Sequence, residues 1–163
     1  MNTRLQALAD AGQSIWLDNI RRSMFASGEL RSLVDAGLRG MTSNPTIFEK
    51  AIGSGTDYDE QLGSLAGSGD DANTTFEALA IQDIRNACDE FRAVYDRTNG
   101  GDGFVSMEVS PLLARDTAGT AAAAKRLWAA VSARLQAWFR HWKQNLNRLK
   151  QPCNHRRTMR VAR

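Results

Sequence analysis

Three polar residues stand where an α/β chain does its chemistry. Asp18 ends the stretch QSIWLDN, Asn44 follows LRGMTS (Leu38–Ser43), and Glu108 falls in FVSMEVSP (Phe104–Pro111). Each stretch reads as a strand. In parallel α/β folds, side chains at the carboxyl ends of strands converge on one face, where active sites form. An aspartate, an asparagine and a glutamate gathered there supply a base, a hydrogen-bond donor and a second acid or base. Each also has a plainer reading. Asp18 can cap the turn behind its strand, Asn44 can act only as an N-cap before Pro45, and Glu108 can lie on a wet strand face.

The elements that must position these residues follow from spacing. In the first stretch Ile15 and Leu17 share one face, and Trp16 and Asp18 the other. GELRSLVDAG then carries Leu30, Leu33 and Val34 at helical spacing, with Gly37 at the stop. The second strand is interrupted by Gly40. After it, NPTIFEKAIG opens a helix at the Asn44 cap and Pro45 and closes it at Gly53. YDEQLGSLAG predicts a turn or two of helix. The longest helix runs through TTFEALAIQDIRNACDEFRAVYDR, where Phe76, Ala80, Ile84, Ala87, Cys88, Phe91, Val94 and Tyr95 form an apolar stripe. NGGDG breaks it. In the third strand Val105, Met107 and Val109 alternate with Ser106, Glu108 and Ser110. DTAGTAAAAKRLWAAV supplies a last, alanine-rich helix. Strands alternating with helices predict a parallel sheet covered by helices.

Charge divides the chain. Residues 1–131 hold 12 lysines and arginines against all 18 acids, a net −6, whereas residues 132–163 hold 9 basic residues and no acid. The overall +3 describes neither part. Such asymmetry separates segments of different role or origin. No apolar run approaches the roughly 20 residues of a membrane span, and MNTRLQALADAG has no secretory apolar region. Two cysteines, Cys88 and Cys153, form no disulfide framework, so a cytoplasmic location is expected. No metal site is expected, since His141 and His155 lie 14 residues apart and Cys153 has no cysteine at ligand spacing. No glycine-rich nucleotide loop is present.

SIWLDNIRR, GMTSNPTIFEKAI and VSMEVSP followed by LARDT, with YDEQL and the long helix between them, together resemble the bacterial transaldolases over about residues 14–131. The resemblance implies part of a (β/α)8 TIM barrel. It implies class I aldol chemistry in the pentose phosphate pathway: transfer of a dihydroxyacetone unit between sugar phosphates through a lysine Schiff base, with no metal or organic cofactor. By resemblance Asp18 takes the hydroxyl proton as the carbon–carbon bond breaks. Glu108 moves protons through a water near the lysine, and Asn44 hydrogen-bonds the substrate.

The resemblance also places the lysine on the next strand, in a segment of the Ile-Lys-Ile-Pro kind. Here the chain reads SARLQAWFRHWKQ. Lys143 falls near the expected distance, but Trp142 and Gln144 flank it. Lys50 and Lys125 belong to helices expected to face water, and an imine-forming amine needs desolvation or a neighbouring charge. The chain is therefore expected to be an inactive, truncated transaldolase fragment (residues 1–131) followed by a basic tail (132–163) from a shifted reading frame near Ser132. The alternative is a binding module. Trp128, Val131, Leu135, Trp138, Trp142, Leu146 and Leu149 would line a basic amphipathic helix for an anionic membrane surface or a partner protein, or for nucleic acid without sequence specificity.

Overall fold

The computed structural model describes residues 3–132. Residues Met1–Val131 group as one compact unit and Ser132–Arg163 as a second. The tail stripe from Leu135 to Leu149, and Lys143 with it, lie outside the described residues. The described chain is α/β: a three-stranded sheet with helices around it. Its strands are β1 (Trp16–Asp18), β2 (Gly40–Thr42) and β3 (Phe104–Val105), all parallel, in the order β1-β2-β3. The helices are α1 (Arg4–Asp10), α2 (Arg22–Ala26), α3 (Glu29–Asp35), α4 (Pro45–Gly53), α5 (Asp59–Leu65), α6 (Ala72–Arg97) and α7 (Thr117–Ser132), with a single 3-10 turn at Pro111–Leu113. The sequence reading did not include α1 or α2.

Local signals act where they were expected. Asn44 Oδ1 accepts the Ile47 N–H at 2.9 Å, and Pro45 is the first residue of α4. The long helix starts two residues before the TTFEALAIQ stretch, at a cap the sequence reading did not name: Asp71 accepts the Thr74 N–H at 2.7 Å. The stripe of α6 is the backbone of the core: Ala80, Ile84, Ala87, Cys88, Phe91, Val94 and Tyr95 are buried, joined by Leu79, while Phe76 at its start is half-buried. They pack among Ile20, Met24, Leu30, Val34 and Met41, which are buried as well.

The third strand is shorter than its alternation predicts. It ends at Val105, so Glu108 lies beyond the strand and is exposed. The cause is non-local. β2 stops at Thr42 and turns into α4 at Asn44, leaving residues 107–109 without a paired neighbour on that side. The contact with β2 runs one step past β3, where the Ser106 N–H donates to the Met41 carbonyl at 3.0 Å.

One buried charge holds the outer helices. Asp83, wholly inaccessible, projects from the apolar side of α6. It accepts the Arg22 Nε–H at 2.8 Å and the Tyr58 hydroxyl at 2.7 Å. The guanidinium of Arg22 stacks 4.2 Å above the Tyr58 ring and also donates to the Gln61 side chain. Burial raises the Asp83 carboxyl above its ordinary range, while the bonds from Arg22 and Tyr58 pull it back. No residue of α5 itself is buried, so Tyr58, at its N-terminal edge, is its anchor.

Burial pushes the Cys88 thiol from its ordinary 9.0 up to about 12. It likewise raises the Tyr58 hydroxyl above 10.0, helped by Asp83. The unfolded chain gives up these protons at their ordinary values, while the folded chain keeps them to higher pH. The stability they contribute is therefore complete below about pH 9 and falls as pH rises from 9 toward 12. Urea midpoints should drop by the equivalent of about 2 kcal/mol for Cys88 alone between about pH 8 and 10.5. Cys88→Ala should remove that share of the decline.

Gly103 joins α6 to β3 with φ +85°, and a Cβ there would sit 2.5 Å from the Tyr95 backbone nitrogen. Neither the left-handed backbone nor the rigid neighbour can give way. Gly103→Ala should destabilise the unit by about 2–4 kcal/mol, read from urea unfolding, through backbone strain and overpacking together.

Candidate functional site

The candidate residues stand at or just beyond the carboxyl ends of the three strands. Parallel register pairs Trp16 with Gly40 and Asp18 with Thr42. It pairs Gly40 with Phe104 and Met41 with Val105. Residues two apart on a strand share a face, so Asp18 and Thr42 point the same way. Ser106 joins that row, since its hydroxyl hydrogen-bonds the Thr42 hydroxyl at 2.7 Å. Ser43, one step on and buried, donates to the Ser106 carbonyl at 2.9 Å. These two bonds lock the carboxyl ends of β2 and β3 together. Sequence alternation had placed Ser106 on the Glu108 face, but its role in tying the strands was not foreseen.

At the amino end the Trp16 indole lies over Gly40, where a Cβ would come within 2.5 Å of the ring. Its Nε1–H donates to Ser14 Oγ at 2.9 Å, and Ser14 donates to Asp102 at 2.6 Å. Two strands separated by a third stand roughly 9–10 Å apart in a flat sheet. Here the segments leading into β1 and β3 meet by a side-chain bond across the one leading into β2.

Asp18 ends β1 and is exposed. Its side chain has no hydrogen-bond partner among the described residues, so it does not cap the turn behind it. Asn44 is half-buried and directly follows the Thr42–Ser43 corner. Its oxygen is committed to the α4 cap, which leaves its NH₂ as the group available to a ligand. Glu108 is exposed, two residues beyond the Ser106 tie. Asp18 and Asn44 thus stand at the carboxyl ends of adjacent strands, and Glu108 on the segment leaving the third. An acceptor, a donor and a second carboxylate follow the three strands in turn. Lys50 and Lys125, the lysines among the described residues, are exposed on α4 and α7 and stand at no strand end. Among the described residues, no three His, Cys, Asp or Glu side chains gather as metal ligands would.

A three-stranded parallel sheet with helices around it is an α/β arrangement consistent with part of a barrel. The chain belongs to the transaldolase/fructose-6-phosphate aldolase family, whose model matches residues 15–146. Pairwise similarity agrees. The chain is 49% identical to the transaldolase of Saccharopolyspora erythraea over 131 residues, 80% of this chain and 35% of that protein. It is 47% identical to the transaldolase of Thermobifida fusca over 129 residues, 78% of this chain and 35% of that protein. It is 42% identical to that of Trichodesmium erythraeum over 132 residues, 80% of this chain and 35% of that protein. The chain spans about a third of the length of these relatives. No helix among the described residues is long and apolar enough to cross a membrane.

Proposed function

We propose that residues 1–131 are the first strands and helices of a (β/α)8 transaldolase barrel, carrying its acid–base groups without its nucleophile. The parent reaction moves a dihydroxyacetone unit between sugar phosphates in the pentose phosphate pathway, in the cytoplasm. The observation that carries the reading is the placement of the three residues: Asp18 at the end of β1, Asn44 just past β2 and Glu108 on the segment leaving β3, in a chain of this family. Asp18 takes the proton of the sugar hydroxyl as the carbon–carbon bond breaks. The Asn44 NH₂ holds a substrate oxygen. Glu108, in contact with solvent, passes protons through a water. These steps need an iminium as electron sink, and the amine for it must be held in a dry pocket. Exposed Lys50 and Lys125 are not so held.

Acid–base groups alone supply about 10²–10⁴-fold of rate. The purified chain, given fructose 6-phosphate and erythrose 4-phosphate, should therefore form no detectable sedoheptulose 7-phosphate. Borohydride should trap no sugar adduct by mass spectrometry. A trapped adduct abolished by Lys143→Ala would overturn the reading.

The tail is proposed to be a frame-shifted continuation, because acids vanish after residue 131 while basic residues concentrate. The family match runs on to residue 146, past the point where the composition changes. The nucleotide sequence around codon 132 tests this: a second frame should encode an apolar strand with a central lysine, and its absence would remove the proposal.

A further inference from the structure

We propose that Asn99–Gly100 is a self-modifying site, where the end of α6 withholds or releases the backbone nitrogen that cyclises onto the Asn99 side chain. The proposal is independent of the aldol chemistry.

The sequence contains a single Asn-Gly pair, Asn99–Gly100, and the same loop holds an Asp-Gly pair, Asp102–Gly103. In both, the glycine nitrogen can attack the preceding side-chain carbon, because no Cβ hinders its approach. At Asn99 the bond from the Gly100 nitrogen to Cγ forms and the Cγ–Nδ2 bond breaks. The amide proton leaves with the Nδ2 group as ammonia. Water then opens the cyclic imide at either carbonyl. The product is an aspartate or a β-linked residue whose main chain runs through Cγ.

The structure separates the two pairs. The Gly100 N–H donates to the Tyr95 carbonyl at 2.9 Å and the Asn99 N–H to the Asp96 carbonyl at 3.2 Å. Such paired bonds close a helix around a left-handed residue. Asn99 is that residue, with φ 51°. It is exposed, and its carboxamide has no partner among the described residues. The attacking nitrogen is thus held by the last turn of its own helix, and helix ends open far more often than cores. Thr98 fastens that turn: its hydroxyl donates to the Val94 carbonyl at 2.9 Å and accepts the Asp102 N–H at 2.9 Å. Gly103 is held differently. Its N–H donates to the Arg39 carbonyl at 2.8 Å, beside β2, so its nitrogen is freed only when the approach to β3 leaves β2. A β-linked residue at position 99 adds a main-chain carbon to a segment fixed at Tyr95 and at Gly103. Reaction therefore leaves the cap unable to close.

The test keeps the 163-residue chain in mildly alkaline buffer. Its peptides are mapped by mass spectrometry, with an isoaspartate methyltransferase marking β-linked residues. The native chain should react at Asn99 about tenfold more slowly than the chain in unfolding urea. No β-linkage should appear at Asp102 over the same period. Urea below the unfolding transition should leave the native rate unchanged, because local opening exposes little surface. Thr98→Ala should speed the native reaction several-fold and leave the rate in unfolding urea as it was. Asn99→Gly, which suits the left-handed cap, should abolish the mass change. Equal rates in native and unfolded chains would overturn the proposal. So would a native rate that climbs steeply with low urea, indifference to Thr98→Ala, β-linkage at Asp102 as early as at Asn99, or no product at Asn99 in the native chain.

Discussion

Asp18→Asn should lower turnover by about 10²–10⁴-fold in a chimera whose lysine is intact. The chimera replaces the 131 matched residues of the Saccharopolyspora erythraea relative with the corresponding residues of this chain. Asparagine keeps the shape and hydrogen-bonding capacity of aspartate, so the Asp18–Thr42 register and any capping role survive. It cannot accept a proton as a carboxylate can. Imine formation uses the lysine and should persist, so borohydride should trap as much adduct in the variant as in the parent chimera. Turnover is followed by release of glyceraldehyde 3-phosphate in a coupled assay. The signature is the split, with trapping retained and cleavage lost. Unchanged turnover would return Asp18 to a passive place at the end of β1.

Asp83→Ala should be the most damaging single change to the fold, costing about 3–5 kcal/mol. Asp83 satisfies two donors at once, and removing it leaves the Tyr58 hydroxyl and the Arg22 Nε without their acceptor in the interior. The lower end of that range is favoured, because the Arg22 side chain keeps 17% exposure and its bond to Gln61. Stranding a charge, rather than losing an attractive pair, is the source of the cost. The triple variant Arg22→Met, Tyr58→Phe, Asp83→Leu should therefore regain most of the loss, since an apolar cluster of similar volume needs no partners. Urea unfolding followed by circular dichroism compares the two. A triple variant as weak as the single one would place the cost in packing instead.

β1 and β2 were legible because their signals are local. Alternation marks Trp16–Asp18, and the Asn44-Pro45 pair fixes where β2 must hand over to α4. The same pair explains the error at β3. Alternation carries FVSMEVSP on to Pro111, but a strand lasts only as long as its neighbour, and the neighbour turns away after Thr42. The two helices flanking β1 were missed because they are short: α1 buries no residue and α2 only Met24, so neither offers a stripe to read. The Arg22–Tyr58–Asp83 cluster had a trace in the sequence. Asp83 lies three residues after Ala80 and four before Ala87, an acid on the apolar face of α6. A buried carboxylate must have partners, but their identity depends on chain crossings that spacing cannot supply. At the carboxyl ends of the strands, residue type and position were enough for Asp18 and Asn44. The tie between Thr42 and Ser106 hydroxyls was not readable, because it joins residues 64 apart.

The indole resting on Gly40 makes positions 16 and 40 a single variable in the evolution of this sheet. Any lineage that enlarges residue 40 has to shrink residue 16 first or simultaneously, and one that loses the tryptophan leaves a hole that a bulkier residue at 40 can fill. Substitutions at the two sites should therefore appear as compensating pairs, large opposite small, while single changes at either one are weeded out.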